Sequence, residues 1–401
     1  MKQPAPTTTA PVAYTRTPIL VVFPDSSTTR DTYGGTGENV ALEGHHLRPE
    51  ADSDTVIVFM HPIGGGAYLP MTNALARAGH HVIYCNSRYR GADYALIMEK
   101  VAEDLGACIR YAKETLGYQK VVLAGWSGGG SLSVFYQSQA EHPTVTSTPA
   151  GEGPDLTKLD LIPADGLMLL AAHVSRHITM TEWMDPSILD EADPTKRDPS
   201  LDIYDPNNPE QPPYSEEFVA RYREAQIARN RRITAWVKDK LAEVKASDRP
   251  NDEFAFVVHG TMADPRWLDP TLDPNDREPG TCYLGDPQTV NMSPVGLARY
   301  CSLRGWLSQW SYDDANANGA TSAAGVHVPV LVIGNTADDA CTPSHTRRLF
   351  EGFTNTEAQL REIKGATHYY AGKGQREQLA EAVACISEWM ADHGWGEQRA
   401  G

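Results

Sequence analysis

The chemistry in this sequence gathers around one serine. An apolar run, Val121-Val122-Leu123-Ala124, leads into Gly125-Trp126-Ser127-Gly128-Gly129, and helix-compatible sequence follows. A strand that turns sharply into a helix holds its turn residue in an unusual backbone conformation, with the side chain standing clear of the sheet. Small residues are then needed two places before and two after it, and Gly125 and Gly129 supply them. A hydroxyl so placed sits over a helix N-terminus, where backbone N–H groups and the helix dipole favour developing negative charge. Gly-x-Ser-x-Gly also arises by chance, and glycine-rich turns also bind phosphate, so the reading depends on partners elsewhere in the chain.

Serine is a poor nucleophile at neutral pH. It needs a base within hydrogen-bond reach, and that base must be oriented by a third group. For a serine on a strand–turn–helix, the acid is expected after a late strand and the histidine after the last one. Both places are occupied. The strand-like residues 328–334 run into Asn335-Thr336-Ala337-Asp338-Asp339, and residues 359–363 run into Lys364-Gly365-Ala366-Thr367-His368. Asp339 is the alternative acid, one residue away. Asp264 follows another strand-like stretch, residues 254–258, but lies far upstream of His368 with helical sequence between them.

With these motifs in this order the chain resembles the α/β-hydrolase family. The resemblance rests on Gly125-Trp126-Ser127-Gly128-Gly129, Asn335-Thr336-Ala337-Asp338 and Gly365-Ala366-Thr367-His368, and it covers residues 15–172 and 326–395. It implies Ser127 as nucleophile, His368 as general base and Asp338 as the acid that holds the imidazole tautomer. The family's acid often lies in Gly-Thr-x-Asp; here Asn335 replaces the glycine, a departure that asparagine's tolerance of left-handed backbone makes mild. The resemblance also implies an oxyanion hole with one backbone N–H from Gly128. The second donor is expected from His61-Pro62-Ile63-Gly64-Gly65-Gly66. Family members usually carry His-Gly at that point. Proline has no N–H to give, so the donor falls to Ile63 or else Gly64.

The elements that must position these residues alternate. Short strands at residues 19–23 and 39–43, with a turn at 36–39, precede a fully apolar strand at 55–60. A helix at 69–78, a strand at 81–85, a helix at 97–116, the strand before Ser127, a helix at 132–140 and a strand at 166–171 follow. This rhythm predicts an α/β fold: a doubly wound, mostly parallel sheet, with a large, mainly helical cap inserted after the sixth core strand. The expected organisation is a tail at 1–14, core at 15–172, cap at 173–325, core again at 326–395 and a tail at 396–401. Within the cap, residues 184–213 are rich in Pro and Asp and read as irregular and solvated. Helices are expected at 216–245 and 294–310, and Arg229, Arg231 and Arg232 on the first read as charge balance. Helices at 345–353 and 375–391 complete the second core segment.

Other residues carry weaker signals. Trp126, His61 and Trp183 are candidate substrate contacts, His61 being read mainly as a support of its own loop. Arg88 and Arg90 follow the fourth strand and would suit a substrate carboxylate, although ion pairing at the sheet rim explains them more simply. The six cysteines show no metal spacing. No metal and no cofactor is expected. A net charge of −17 disfavours nucleic acid and anionic membrane surfaces as partners. No apolar run is long enough to span a membrane, and the polar start lacks a secretory pattern, so a cytoplasmic protein is expected. Its partner would be a small-molecule ester-type substrate, with a homodimer allowed. The function expected is hydrolysis of a carboxylic ester by a Ser-His-Asp triad through an acyl-enzyme, the substrate sizeable or hydrophobic and enclosed by the cap. The same triad on a C–C bond, thioester, lactone or amide is the near rival, and a non-catalytic binding protein of the same fold is the distant one.

Overall fold

The computed structural model describes residues 11–25, 38–66 and 69–396. The first half of the expected turn at 36–39 and most of both expected tails fall outside them. An eight-stranded sheet runs through the molecule in the order β1-β2-β4-β3-β5-β6-β9-β10. Strands β1 (Tyr14–Pro24) and β2 (Asn39–Pro49) form an antiparallel pair at one edge, both longer than the sequence suggests. β2 is also antiparallel to β4 (Val82–Cys85). The rest is parallel: β3 (Thr55–Phe59), β5 (Lys120–Ser127), β6 (Gly166–Ala172), β9 (Val330–Asn335) and β10 (Ala358–Ile363).

The continuous apolar runs are explained by burial on both faces. Val56, Val58, Val121, Leu123, Leu167 and Leu169 join the core on one side. Their neighbours Ile57, Phe59, Val122, Ala124, Met168 and Leu170 join the other. The first side is covered by α2 (Met98–Arg110) and α3 (Gly128–Glu141), the second by α1 (Pro70–Arg77) and the C-terminal helix. α2 continues as a π-type turn to Thr115, where the sequence predicts one helix.

After β6 the chain leaves the sheet for a helical insertion. It opens with α4 (Arg176–Trp183), which has no signature in the sequence, and continues into the 31-residue α5 (Glu216–Ala246). Between them the chain is irregular as expected, because Asp190, Asp193, Asp198, Asp202 and Asp205 each accept the backbone N–H two residues on. It is less solvated than expected: Asp185, Ser187 and Ile188 are buried. Arg229 is likewise a buried tie, forked onto Glu191 and donating to the Asp185, His259 and Gly260 carbonyls.

The expected helix over 294–310 is a correction. Ala298 takes a positive φ of 56°, and the chain pairs as β8 (Tyr300–Ser302) against β7 (Ala255–Val257). Helix begins only at α8 (Leu303–Gln309), where the Ser302 hydroxyl accepts from Gly305 N–H. Two short helices, α6 (Pro265–Leu268) and α7 (Pro287–Asn291), lie between β7 and β8 in the chain. α9 (Gly319–Ser322) leads back to β9. α10 (Pro343–Gly352) and α11 (Gln375–Asp392) follow their strands as the sequence predicts.

Candidate active site

β5 ends at Ser127, which sits at φ 54° and ψ −125°. That left-handed backbone is costly for a residue with a side chain and is held by close packing on both sides. A Cβ on Gly125 would stand 2.3 Å from the Gly129 carbonyl oxygen, and one on Gly129 would stand 2.5 Å from that of Met60, at the end of β3. The two glycines are therefore required by backbone-to-backbone approach, and Ser127 is carried out over the start of α3.

Two later loops bring their side chains to it. His368 Nε2 lies 3.2 Å from Ser127 Oγ, and His368 Nδ1 lies 2.8 Å from Asp338 Oδ2. Asp338 is fully enclosed, and its other oxygen accepts the Ala340 and Cys341 N–H groups at 2.8 Å. An ionised carboxylate can only accept, so His368 Nδ1 carries the proton and Nε2 presents its lone pair to the hydroxyl. The loops are tied together by Ala337 N–H to the Ala366 carbonyl and by the Asn335 amide to the Thr367 carbonyl. Asn335 is thus not in left-handed backbone, as the sequence suggests. It ends β9, and its side chain also accepts from the Tyr370 hydroxyl. Trp126 Nε1 donates to the His368 carbonyl, with the two rings 4.7 Å apart.

The alternative acids face other partners. Asp264 caps α6 and pairs with Arg223 and Arg266. The Asp339 carboxyl is pushed up to about 6 by burial and by the charge of Asp338. Its folded value lies above the ordinary 3.8, so its ionisation opposes folding fully above about pH 6, and the penalty shrinks as pH falls toward 4. Asp339→Asn should therefore raise stability at pH 7.5 by up to about 3 kcal/mol, a gain that shrinks as pH falls below about 6 and is gone by about pH 3 in thermal melts.

The oxyanion side is less regular. Gly64 N–H is committed to the His61 carbonyl at 2.8 Å, which removes Gly64 as a donor. Gly65 and Gly66 N–H groups go to Asn86 Oδ1 and the Tyr84 hydroxyl. Ile63 N–H has only a long contact, 3.4 Å, to His61 Nδ1. Burial, helped by the charges of Arg176 and His368, lowers His61 to about 3, so the ring is neutral. It supports the loop from within.

A cavity of about 110 Å³ opens on Ser127. His61, Ile63, Trp126, Gly128, His368 and Arg176 are among its walls. Trp183 is not: its ring is enclosed by Trp267, Tyr283 and His173. Arg88 and Arg90 are not either. Arg88 is buried against Asp104 and Glu103, and Arg90 pairs with Glu43 at the surface. The cation in the wall is Arg176, at the start of α4, which no sequence signal marks. Asp338, Cys341 and His368 offer ligand atoms within 4.8 Å of one another. Burial pushes the Cys341 thiol up and keeps it protonated, which makes the trio a poor metal set.

A serine at the sharp turn ending β5, an aspartate after β9 and a histidine after β10 are now placed on one sheet. This is the α/β-hydrolase fold. Two solved structures superpose on it over nearly their whole length. One is described as DcsB in complex with its substrate analogue (TM-score 0.50, 12% identity, 97% of this chain and 100% of that one). The other is the siderophore hydrolase EstB from Aspergillus fumigatus (TM-score 0.50, 12% identity, 97% and 99%). At this identity the likeness speaks for the fold alone. No protein-family model matches the chain, and no curated protein sequence matches it.

Proposed function

We propose that this chain is a serine hydrolase that cleaves a carboxylic ester through an acyl-enzyme, with Ser127, His368 and Asp338 as its triad. The observation that carries the reading is the unbroken chain of contacts from Asp338 through His368 to a serine held at positive φ. As Ser127 Oγ attacks the ester carbonyl, His368 Nε2 takes its proton, and Asp338 stabilises the imidazolium. The carbonyl oxygen becomes an oxyanion facing the N–H groups of Gly128 and Ile63. The long Ile63–His61 contact is one that a full negative charge outcompetes. His368 then returns the proton to the leaving alcohol, and water attacks the acyl-enzyme by the same route.

The insertion, taken as residues 173–325, acts as the cap. A cavity of about 110 Å³ is small beside drug-sized sites of roughly 300–1,000 Å³. It suits a short acyl group, against the expectation of a sizeable or hydrophobic one. The six free cysteines suit a reducing, cytoplasmic setting. Among the described residues no helix is long and apolar enough to cross a membrane.

A chain-length series of p-nitrophenyl esters tests this. Acetate and butyrate should be turned over, and kcat/KM should fall at least tenfold by octanoate. Labelling by a fluorophosphonate without turnover of any ester would move the chemistry to a thioester, lactone, amide or C–C bond. Neither labelling nor turnover would leave a binding protein.

A further inference from the structure

The cavity beside Ser127 holds a buried cation whose carboxylate partner, Asp93, makes a long ion pair and no hydrogen bond with it. Arg176 is 6% exposed, and its guanidinium makes one hydrogen bond, Nε to Gln309 Oε1 at 2.9 Å. Gln309 is itself fixed, donating to the Asp93 and Leu96 carbonyls. The guanidinium carbon sits over the Trp310 ring, 4.5 Å from its centre. Nη2 has no hydrogen-bond partner, and the nearest carboxylate, Asp93, stands 3.6 Å away. Nη1 reaches toward the nucleophile: a Cβ on Gly128 would be 3.4 Å from it.

The other buried arginines of the described residues have their terminal nitrogens bonded, although Arg299 leaves its Nε without a hydrogen-bond partner. Arg88, Arg229 and Arg266 each fork onto carboxylates at 2.9 Å or less. Arg277 and Arg299 donate to several backbone carbonyls. Arg176 is rigidly held: Nη2 is enclosed with only the 3.6 Å ion pair to Asp93, and Nη1 is the nitrogen turned toward Gly128. No Asp or Glu, and no other Lys or Arg, is among the described residues that line the cavity. Its histidines His61 and His173 are held neutral by burial. A guanidinium in such a place presents Nη1 as a charge-assisted donor, the kind of group a carboxylate accepts from.

We propose that Arg176 receives a carboxylate of the substrate, so that the preferred ester carries a carboxylate a few bonds from its scissile carbonyl. This rests on the serine-hydrolase reading above and narrows its substrate to half-esters of short dicarboxylic acids. The small cavity sets the distance: the anion at Arg176 and the carbonyl at Ser127 share one space of about 110 Å³. Gln309, Trp310 and Asp93 are positioning residues, holding the guanidinium's edge toward Gly128.

The test compares monoethyl succinate with ethyl succinamate, its neutral isostere, on the wild-type protein and on Arg176→Gln and Arg176→Lys. The wild type should prefer the acid by roughly 10- to 100-fold in kcat/KM, the usual worth of one charge-assisted contact. Arg176→Gln should bring that ratio to about one, chiefly through KM, and Arg176→Lys should keep part of it. A second readout needs no variant: free succinate should slow fluorophosphonate labelling of the wild type at concentrations where succinamide does not. Equal turnover of the two esters with equal protection from labelling would overturn the proposal. So would a ratio that Arg176→Gln leaves unchanged, or equal losses on both esters, which would make Arg176 a stabiliser of the oxyanion. Absence of any labelling and any turnover would instead strike the serine-hydrolase reading itself.

Discussion

Ser127→Ala should fold as the wild type does and lose roughly 10⁴-fold or more in kcat. The first half of that expectation comes from packing. The hydroxyl's partners are His368, at 3.2 Å, and the weakly bonding Cys341 thiol, so its loss leaves no buried donor or acceptor seriously unpaired. Alanine accepts the φ of 54° at about the cost serine does, since both carry a Cβ. The second half comes from mechanism. Without Oγ no acyl-enzyme forms, and only binding and oxyanion stabilisation remain. A 10⁴-fold loss corresponds to about 5.5 kcal/mol of barrier, far more than any change in folding stability would mimic. Thermal melts and ester turnover on the same preparation separate the two.

Asp338→Asn should cost roughly 10⁴-fold in kcat as well, for a different reason. The carboxylate accepts three N–H groups: His368 Nδ1, Ala340 N and Cys341 N. An asparagine has one acceptor oxygen and one NH₂. If its oxygen keeps the two backbone N–H groups, its NH₂ faces His368 Nδ1. Nδ1 must then accept, the ring proton moves to Nε2, and the base is lost. The loss should fall on kcat, with KM little changed. Asp339→Asn serves as the control one residue away: it should keep the triad contacts and gain stability at neutral pH. If Asp339→Asn were the inactive variant and Asp338→Asn the active one, the acid would be wrongly assigned.

The parts of this site that lie at the ends of strands were legible in the sequence. Ser127 and Asp338 follow apolar runs that only a doubly buried strand needs, His368 follows the half-exposed edge strand β10, and each stands in a short turn with small residues. Those constraints are local, so they show in the residues themselves. The cap was less legible because its apolar spacing reports burial and not helix. Leu297, Cys301, Leu303, Trp306 and Leu307 fall at helical intervals, and most pack into one cluster with α5, but Ala298 and the β7–β8 pair break the helix before Leu303. Arg176 was not legible at all. Arg88, after a core strand, resembled a carboxylate receptor more closely. What distinguishes the two is the presence of Asp104 and Glu103 around one and their absence around the other, a fact of tertiary packing. The oxyanion loop lies between these cases. Pro62 announced a departure, but only the bond from Gly64 to the His61 carbonyl shows which N–H remains.

The most direct measurement is the intact mass of the protein after reaction with a fluorophosphonate, followed by peptide mapping. One adduct per chain, located on Ser127, with ester turnover falling in proportion to labelling and no adduct on Ser127→Ala, is the predicted result. An adduct on another residue, or ester turnover that survives complete labelling of Ser127, would contradict it.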